Sequence, residues 1–397
     1  MPRFVPARVD HLTGELAAAL GDEHQGDVRA LATQLEALFH HYAGAAARLT
    51  ESLYDPFDPD RDTVPAPGLV GDDAIRRLLD QLEHLLDRAN FEAVDEGQLL
   101  SAQDREVLAR LRIDPDRDAL EEVRVFCRGE GSKAITLRPA RNLFRLVERE
   151  VPTYARVVVA VRTRNEPWFL LKLFKDVPKE DLELLLPTVR VKMKLLDKLK
   201  LSGSGGAAAI SAWKMFRLIY LYTPSVAKLL AVPFKIVLLP VMLLIGGIYG
   251  GKTVLDYTKI RASYVTTLAE HLYAITLASN RAVLSRIADL AGAEDTKEAL
   301  LAYAVLLRAG ADGLAPEALG QRASELVWDR YRAQVRFDAE DALAKLADLG
   351  LTWRGEDGRL RAVPLPAALR KVDRTWDELY APPTRATERL RRQQRRA

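Results

Sequence analysis

The stretch LLIGGIYGGKTVL carries the residues most plainly spaced for chemistry: Gly246, four residues, then Gly251, Lys252 and Thr253. A phosphate-cradling loop uses this spacing to wrap backbone N–H groups around phosphates and to place a lysine on the terminal ones. It also needs a buried strand before it, a helix after it, and further parallel β-α units that bring an acidic residue to magnesium. The sequence from 252 to about 310 is continuously helix-like and offers no such acidic strand end. The four residues are therefore read as a decoy at the end of an apolar helix, and no cofactor is expected. A second constellation lies in LKLFKDVPKEDLELLLP, where Lys172, Lys175, Asp181 and Glu183 are candidates to line a polar cleft. The same residues also suit caps and salt bridges of a turn, with Pro178 and Asp181 opening a helix and Pro187 closing it. Asp55, Asp58, Asp60 and Asp62 offer carboxylates for a cation, but ordinary Asx turns use them equally well.

Other reactive types are sparse. The six histidines form no HExxH and no zinc spacing. His40 and His41 are adjacent, so on a helix they diverge by about 100 degrees and read as surface residues. LSGSGG lacks the GxSxG frame of a nucleophile elbow. The single cysteine, Cys127, sits in a β-like run and reads as a small core residue; it excludes an intramolecular disulfide framework and a multi-cysteine zinc site. No metal site and no catalytic residue are assigned, and an enzymatic role is left open, with the balance against it.

Two or three ordinary domains can be built from 397 residues, 48% hydrophobic and 28% charged. The formal charge of +3 names no partner by itself. Residues 51 to 122 are acidic, whereas the end, ATERLRRQQRRA, is basic and suits an attraction to anionic lipid. The start, MPRFVPARVDHL, shows no cleavable targeting character.

An internal apolar stretch dominates the hydropathy. Leu229 to Gly251 is 23 residues long with Lys235 as its only charge. As a helix it spans roughly 34 Å, enough for a hydrocarbon core of about 30 Å. Gly205 to Tyr222 is a weaker partner, because Lys214 and Arg217 each cost roughly 2.5 to 3.5 kcal/mol at a helix centre. Trp213, Lys214, Arg217, Tyr220, Tyr222, Lys235 and Lys252 are the expected membrane-interface residues, and the short loop at Thr223-Pro224-Ser225 favours an antiparallel hairpin. Basic flanks at both ends predict cytoplasmic N- and C-termini.

Around this hairpin the remaining elements fall into order. Residues 1–120 form a helical N-terminal region with Leu and Ala at three- and four-residue spacing, interrupted by the loop YDPFDPDRDTVPAPG. Residues 121–200 hold an antiparallel β-meander followed by a basic pre-membrane helix. Residues 203–251 are the transmembrane hairpin, 252–311 long helices, 312–366 a winged-helix-like unit turning at Gly355-Glu356-Asp357-Gly358, and 367–397 a basic tail. The would-be recognition helix FDAEDALAKLADL sets Asp338, Glu340, Asp341 and Asp348 against Lys345 alone, which opposes phosphate binding despite Arg354, Arg359 and Arg361 on the wing. Nucleic acid is therefore not an expected partner. The fold class expected is α+β, mostly α, with a central transmembrane helical hairpin.

The blocks YDPFDPDRDT at 54, RGEGS at 128, LLKLFKDVPKEDLELLLP at 170, YTKIRASYVTTLAEHLYAITLASNRAVL at 257 and TKEALLAYAVLL at 296 occur in an order that resembles the DUF3754 family, which includes the transmembrane protein 143 group of mitochondria. The resemblance runs from about Phe4 to Leu365. It implies a membrane protein with a short pair of hydrophobic segments between soluble lobes, found in bacteria and organelles, with no established chemistry and no catalytic residue to carry over. The departure is Lys214 and Arg217 in the first segment. The expectation is an integral protein of the bacterial inner membrane, a scaffold or regulator whose partners are the lipid bilayer and a protein or a second copy of itself. The alternative is a membrane-tethered enzyme of hydrolytic type, using the cleft around Lys172 and Asp181.

Overall fold

A computed structural model describes residues 3–64, 71–94, 112–115, 119–137, 147–164, 166–179, 189–192 and 272–379, with single positions at 182, 185, 186, 266, 269 and 270. The helices are α1 (Val9–Leu20), α2 (Gln25–Tyr54), α3 (Asp72–Arg88), α4 (Arg281–Ala309), α5 (Pro316–Tyr331), α6 (Ala339–Asp348) and α7 (Leu365–Glu378). α4 is the central column. From Ala291 to Leu306 every residue but the half-buried Ala293 is buried, so this helix is enclosed all round rather than on one stripe. α2 lies along it, and the approach is close because Gly292 has no side chain: a Cβ there would stand 2.9 Å from His40 Cγ. His40 and His41 are thus half-buried at helix contacts, with His41 edge-on to Trp376 of α7.

The strands are β1 (Glu92–Ala93), β2 (Arg112–Pro115), β3 (Leu120–Leu137), β4 (Val147–Thr163), β5 (Phe169–Pro178), β6 (Val189–Lys192), β7 (Thr276–Ser279), β8 (Thr352–Arg354) and β9 (Leu360–Ala362). One antiparallel sheet has the order β1-β3-β4-β5-β7; β2 pairs with β6, and β8 with β9. Alternation decides which side chain goes where. Phe126, Val158, Ala160, Phe169, Leu171 and Leu173 face the helices, where Leu78, Leu82, Leu85 and Leu86 of α3 and Ile287 of α4 complete the layer. Val125, Cys127, Val157, Val159, Val161 and Phe174 form the other face and are covered by Leu182 and Leu185. Both faces are buried, which is why RVVVAV reads as a continuous apolar run.

The aspartate-rich loop is a structural junction. Tyr54, fully buried, donates its hydroxyl to Phe169 O at 2.7 Å and to Asn280 Oδ1 at 3.3 Å. Asn280 donates to Asp60 Oδ2 at 2.5 Å, and Asp58 Oδ1 accepts from the Asp60 N–H at 3.0 Å in an Asx turn. The end of α2, strand β5 and the start of α4 are thereby tied at one point.

The expected transmembrane hairpin requires correction. Among the described residues no helix is long and apolar enough to cross a membrane. At about 45 Å, α2 and α4 have the length, but α2 carries Asp27, Arg29, Glu36, Arg48 and Glu51, and α4 carries Glu294, Asp295, Lys297 and Glu298. The segments 205–222 and 229–251 lie outside the described residues, as do Trp213, Lys214, Arg217, Tyr220, Tyr222, Lys235, Gly246, Gly251, Lys252 and Thr253. Among the described residues the fold class is corrected to a mostly helical α+β arrangement with a five-stranded antiparallel sheet and no membrane-spanning helix. The expected integral-membrane function, bilayer partner and inner-membrane placement each rested on that hairpin, and no helix among the described residues supports them. Within 252–311, the stretch Thr276–Ser279 is a strand on the edge of the sheet, not helix.

Candidate functional site: a charged core beside a polar cavity

The run Glu294-Asp295-Thr296-Lys297-Glu298 of α4 has the composition of a solvated helix face, yet all five residues are buried. Burying a charge is costly unless a partner stands beside it. Here Lys297 pairs with Glu294 within the run, and the other partners come from distant segments. Arg128 of β3 pairs with Glu294 through Nη2, and Lys297 Nζ reaches the same Glu294 Oε1 at 2.6 Å. Arg88, at the end of α3, holds Asp295 Oδ2 at 2.6 Å. Asn90 donates to Glu298 Oε1 at 2.7 Å. It occupies a left-handed conformation, φ 59°, because it closes α3: its N–H bonds to Asp87 O at 2.8 Å and that of Phe91 to Leu86 O at 3.0 Å, a Schellman ending.

Asp295, Glu298 and Asp341 are the cluster with the form of a metal site, their ligand oxygens lying within 4.8 Å of one another. The centre of that cluster is taken by Lys345 of α6, whose Nζ stands 2.6 Å from Asp295 Oδ1, Glu298 Oε2 and Asp341 Oδ2 alike. The contact to Asp295 Oδ1 is an ion pair off the hydrogen-bond direction. Burial works against the ammonium, but the carboxylates of Glu298, Asp295 and Asp341 hold its pKa above the ordinary value. Burial raises the Glu298 carboxyl to about 7, with Lys345 and Asn90 pulling the other way. The residues present fit an ammonium rather than an added cation, and Lys345 locks α6 onto α4. The helix that would read DNA in a winged-helix unit thus turns Lys345 inward, with Asp341 at the exposed edge of the contact.

Beside this core lies a cavity of about 500 Å³ lined by Arg3, Asn90, Glu92, Cys127, Arg128, Tyr154 and Lys179 among others. Arg128 is 7% exposed and sits between the rings of Phe4 and Phe91, 4.9 and 5.8 Å from their centroids. Its Nη1 and Arg3 Nε are buried without a protein acceptor. Lys179 pairs with Glu130 at 2.6 Å and lies over Tyr154 at 4.8 Å. Burial pushes the Cys127 thiol up to about 12, which leaves it unreactive as a nucleophile near neutrality.

Of the cleft residues named from sequence, Lys172 is exposed on β5, opposite Val159 and Ser279, and Lys175 is half-buried; Asp181 and Glu183 lie outside the described residues. The cavity instead uses Lys179, a few positions on. Sequence reasoning missed Arg128, Asn90 and the α4 run. The available signals were RGEGS, a lone Asn after a leucine-rich helix, and four charges in five residues inside an otherwise apolar helix.

Residues 143–282 match the family described as Protein of unknown function (DUF3754), about a third of the chain. The match takes in β4, β5, β6 and β7. No solved structure matches the chain.

Proposed function

We propose that this chain is a binding module whose cavity takes a small molecule bearing a carboxylate or phosphate group. The observation that carries the reading is the convergence of Arg3, Arg128 and Lys179 on one cavity, with Arg3 Nε and Arg128 Nη1 lacking protein acceptors. Buried donors without partners are rare in folded proteins, and an anionic oxygen would satisfy them. The volume falls in the range of small-molecule sites, and Tyr154 supplies an aromatic wall. Titration with inorganic phosphate and with citrate, followed by calorimetry and by amide shifts at Cys127 and Tyr154, tests it. Saturable binding that weakens roughly tenfold in Lys179→Ala supports the reading; unmoved resonances at millimolar anion refute it.

A hydrolytic reading has one observation in its favour. Glu298, with a carboxyl raised to about 7, reaches the cavity through Asn90, and a general base near neutral pKa is what such chemistry needs. Retained hydrolysis of a responsive ester or phosphoester in Glu298→Gln would remove it. The narrower likeness to the transmembrane protein 143 group was expected from five sequence blocks taken together, of which those at 54, 128 and 296 lie outside the matched residues, and it carries no part of either reading.

A further inference from the structure

The segment before α1 is held like a ligand. Arg3 pairs with Asp87 at 2.8 Å and Asp338 at 3.1 Å, joining the end of α3 to the start of α6. Phe4 stacks on Arg128 and fills the place above Gly129, whose φ is 70° and where a Cβ would stand 2.6 Å from Phe4 Cε1. Val5 is 1% exposed; its N–H points to Glu294 Oε2 at 3.4 Å and its carbonyl accepts from Lys297 Nζ at 2.8 Å. Three consecutive residues thus meet three distinct subsites: a carboxylate pair, an arginine-backed aromatic seat, and a buried acid–base pair that meets the N–H and the C=O of one residue. A core packs by shape; reading both main-chain polar groups of one residue with a carboxylate and an ammonium is the manner of peptide recognition. Exposed Pro6 then lets the chain leave before α1 begins at Val9.

We infer that this groove is a peptide-binding site for an arginine–aromatic–aliphatic segment, with Arg3-Phe4-Val5 of the same chain as its resident occupant. A partner presenting the same three residue types exchanges with the strap, and release of the strap removes Arg3 from the wall of the cavity. The groove does not depend on the cavity's ligand, so its test needs none.

The experiment uses the full chain carrying Phe4→Ala and a fluorescent peptide RFVPAR, the sequence of residues 3–8. The expected result is saturable anisotropy at least about tenfold tighter on the variant than on the wild type, whose own strap competes, and about tenfold weaker for the peptide AAVPAR. A folded variant, by circular dichroism, that shows no saturable binding overturns the inference. Should Phe4→Ala fail to fold, hydrogen exchange on the wild type decides. A Val5 amide that opens at lower free energy than the amides of α4 supports a removable occupant; one that exchanges only with global unfolding makes the strap plain core and overturns it.

Discussion

Replacing Lys345 by alanine would leave three carboxylates facing one another across a space that an ammonium had filled. Asp295 and Glu298 are 0% and 5% exposed at the side chain, so water cannot take over the role of Nζ without opening the contact between α4 and α6. Arg88 still neutralises Asp295 from its other oxygen, and Asn90 still donates to Glu298. The loss is therefore placed at the lower part of the range for breaking a buried pair, about 3 kcal/mol of the usual 3–5. In a chain of 397 residues, with an unfolding entropy of about 2.1 cal/mol/K per residue, that is a fall of roughly 3–4 °C in Tm. The oxygens stood 2.6 Å from the lost nitrogen, a distance calcium tolerates, so the cage becomes a cation site in the variant. Calcium at a hundred times its dissociation constant would return about 2.7 kcal/mol. Differential scanning fluorimetry of Lys345→Ala and the wild type, with and without calcium, reads both effects. A variant as stable as the wild type refutes the claim that Lys345 neutralises the cluster, and an equal calcium response in the two proteins refutes the geometry of the cage.

Further outcomes follow from the same network. Because burial raises Glu298 from its ordinary 4.5 to about 7, the folded protein holds its proton more tightly than the unfolded chain does. Its contribution to stability is then present in full below about pH 4.5 and lost as pH rises to about 7. Urea melts across that window should show a falling stability that flattens in Glu298→Gln; an unchanged slope in the variant would assign it to other groups. Tyr54→Phe removes the hydroxyl that ties β5 to Asn280 and should cost about 0.5–1.5 kcal/mol in denaturant melts, the net value of an intramolecular hydrogen bond. A neutral result would mean that Asn280 finds another donor.

Periodic segments were legible because their burial is written within the segment itself. Leu78, Leu82, Leu85 and Leu86 recur at helical spacing, and the apolar run from Val157 to Val161 reads as a strand whatever surrounds it. The candidate site was not legible for the opposite reason. Glu294, Asp295, Lys297 and Glu298 look like a solvated helix face, and Arg88 with nearby Asn90, Arg128, Lys345 and the Val5 backbone make their burial affordable. Those partners come from four separate stretches of sequence, and no local pattern announces that they meet. The strand at Thr276–Ser279 was missed similarly: TLAS sits between helix-like runs, and its pairing with Lys172–Phe174 is a long-range fact. The hairpin expectation rested on hydropathy, basic flanks, a short loop and the family resemblance; among the described residues the long helices carry charges, mostly exposed on α2 and, in the run from Glu294 to Glu298 of α4, paired inside the protein.

The adjacency of β5 and β7 has a bearing on how the chain is divided. β5 ends at Pro178 and β7 begins at Thr276, yet the two are antiparallel neighbours, with Phe174 opposite Thr276 and Lys172 opposite Ser279. The ladder they share is the one an ordinary hairpin would make, and about a hundred residues are spliced into its turn. Closing so long a loop costs little more than closing one of half the length, because the entropy grows only with the logarithm of loop size. The sheet thus clamps the two ends of the inserted segment. The family match, residues 143–282, begins just before β4 and stops just after β7, so it frames the splice together with the strands that hold its two ends.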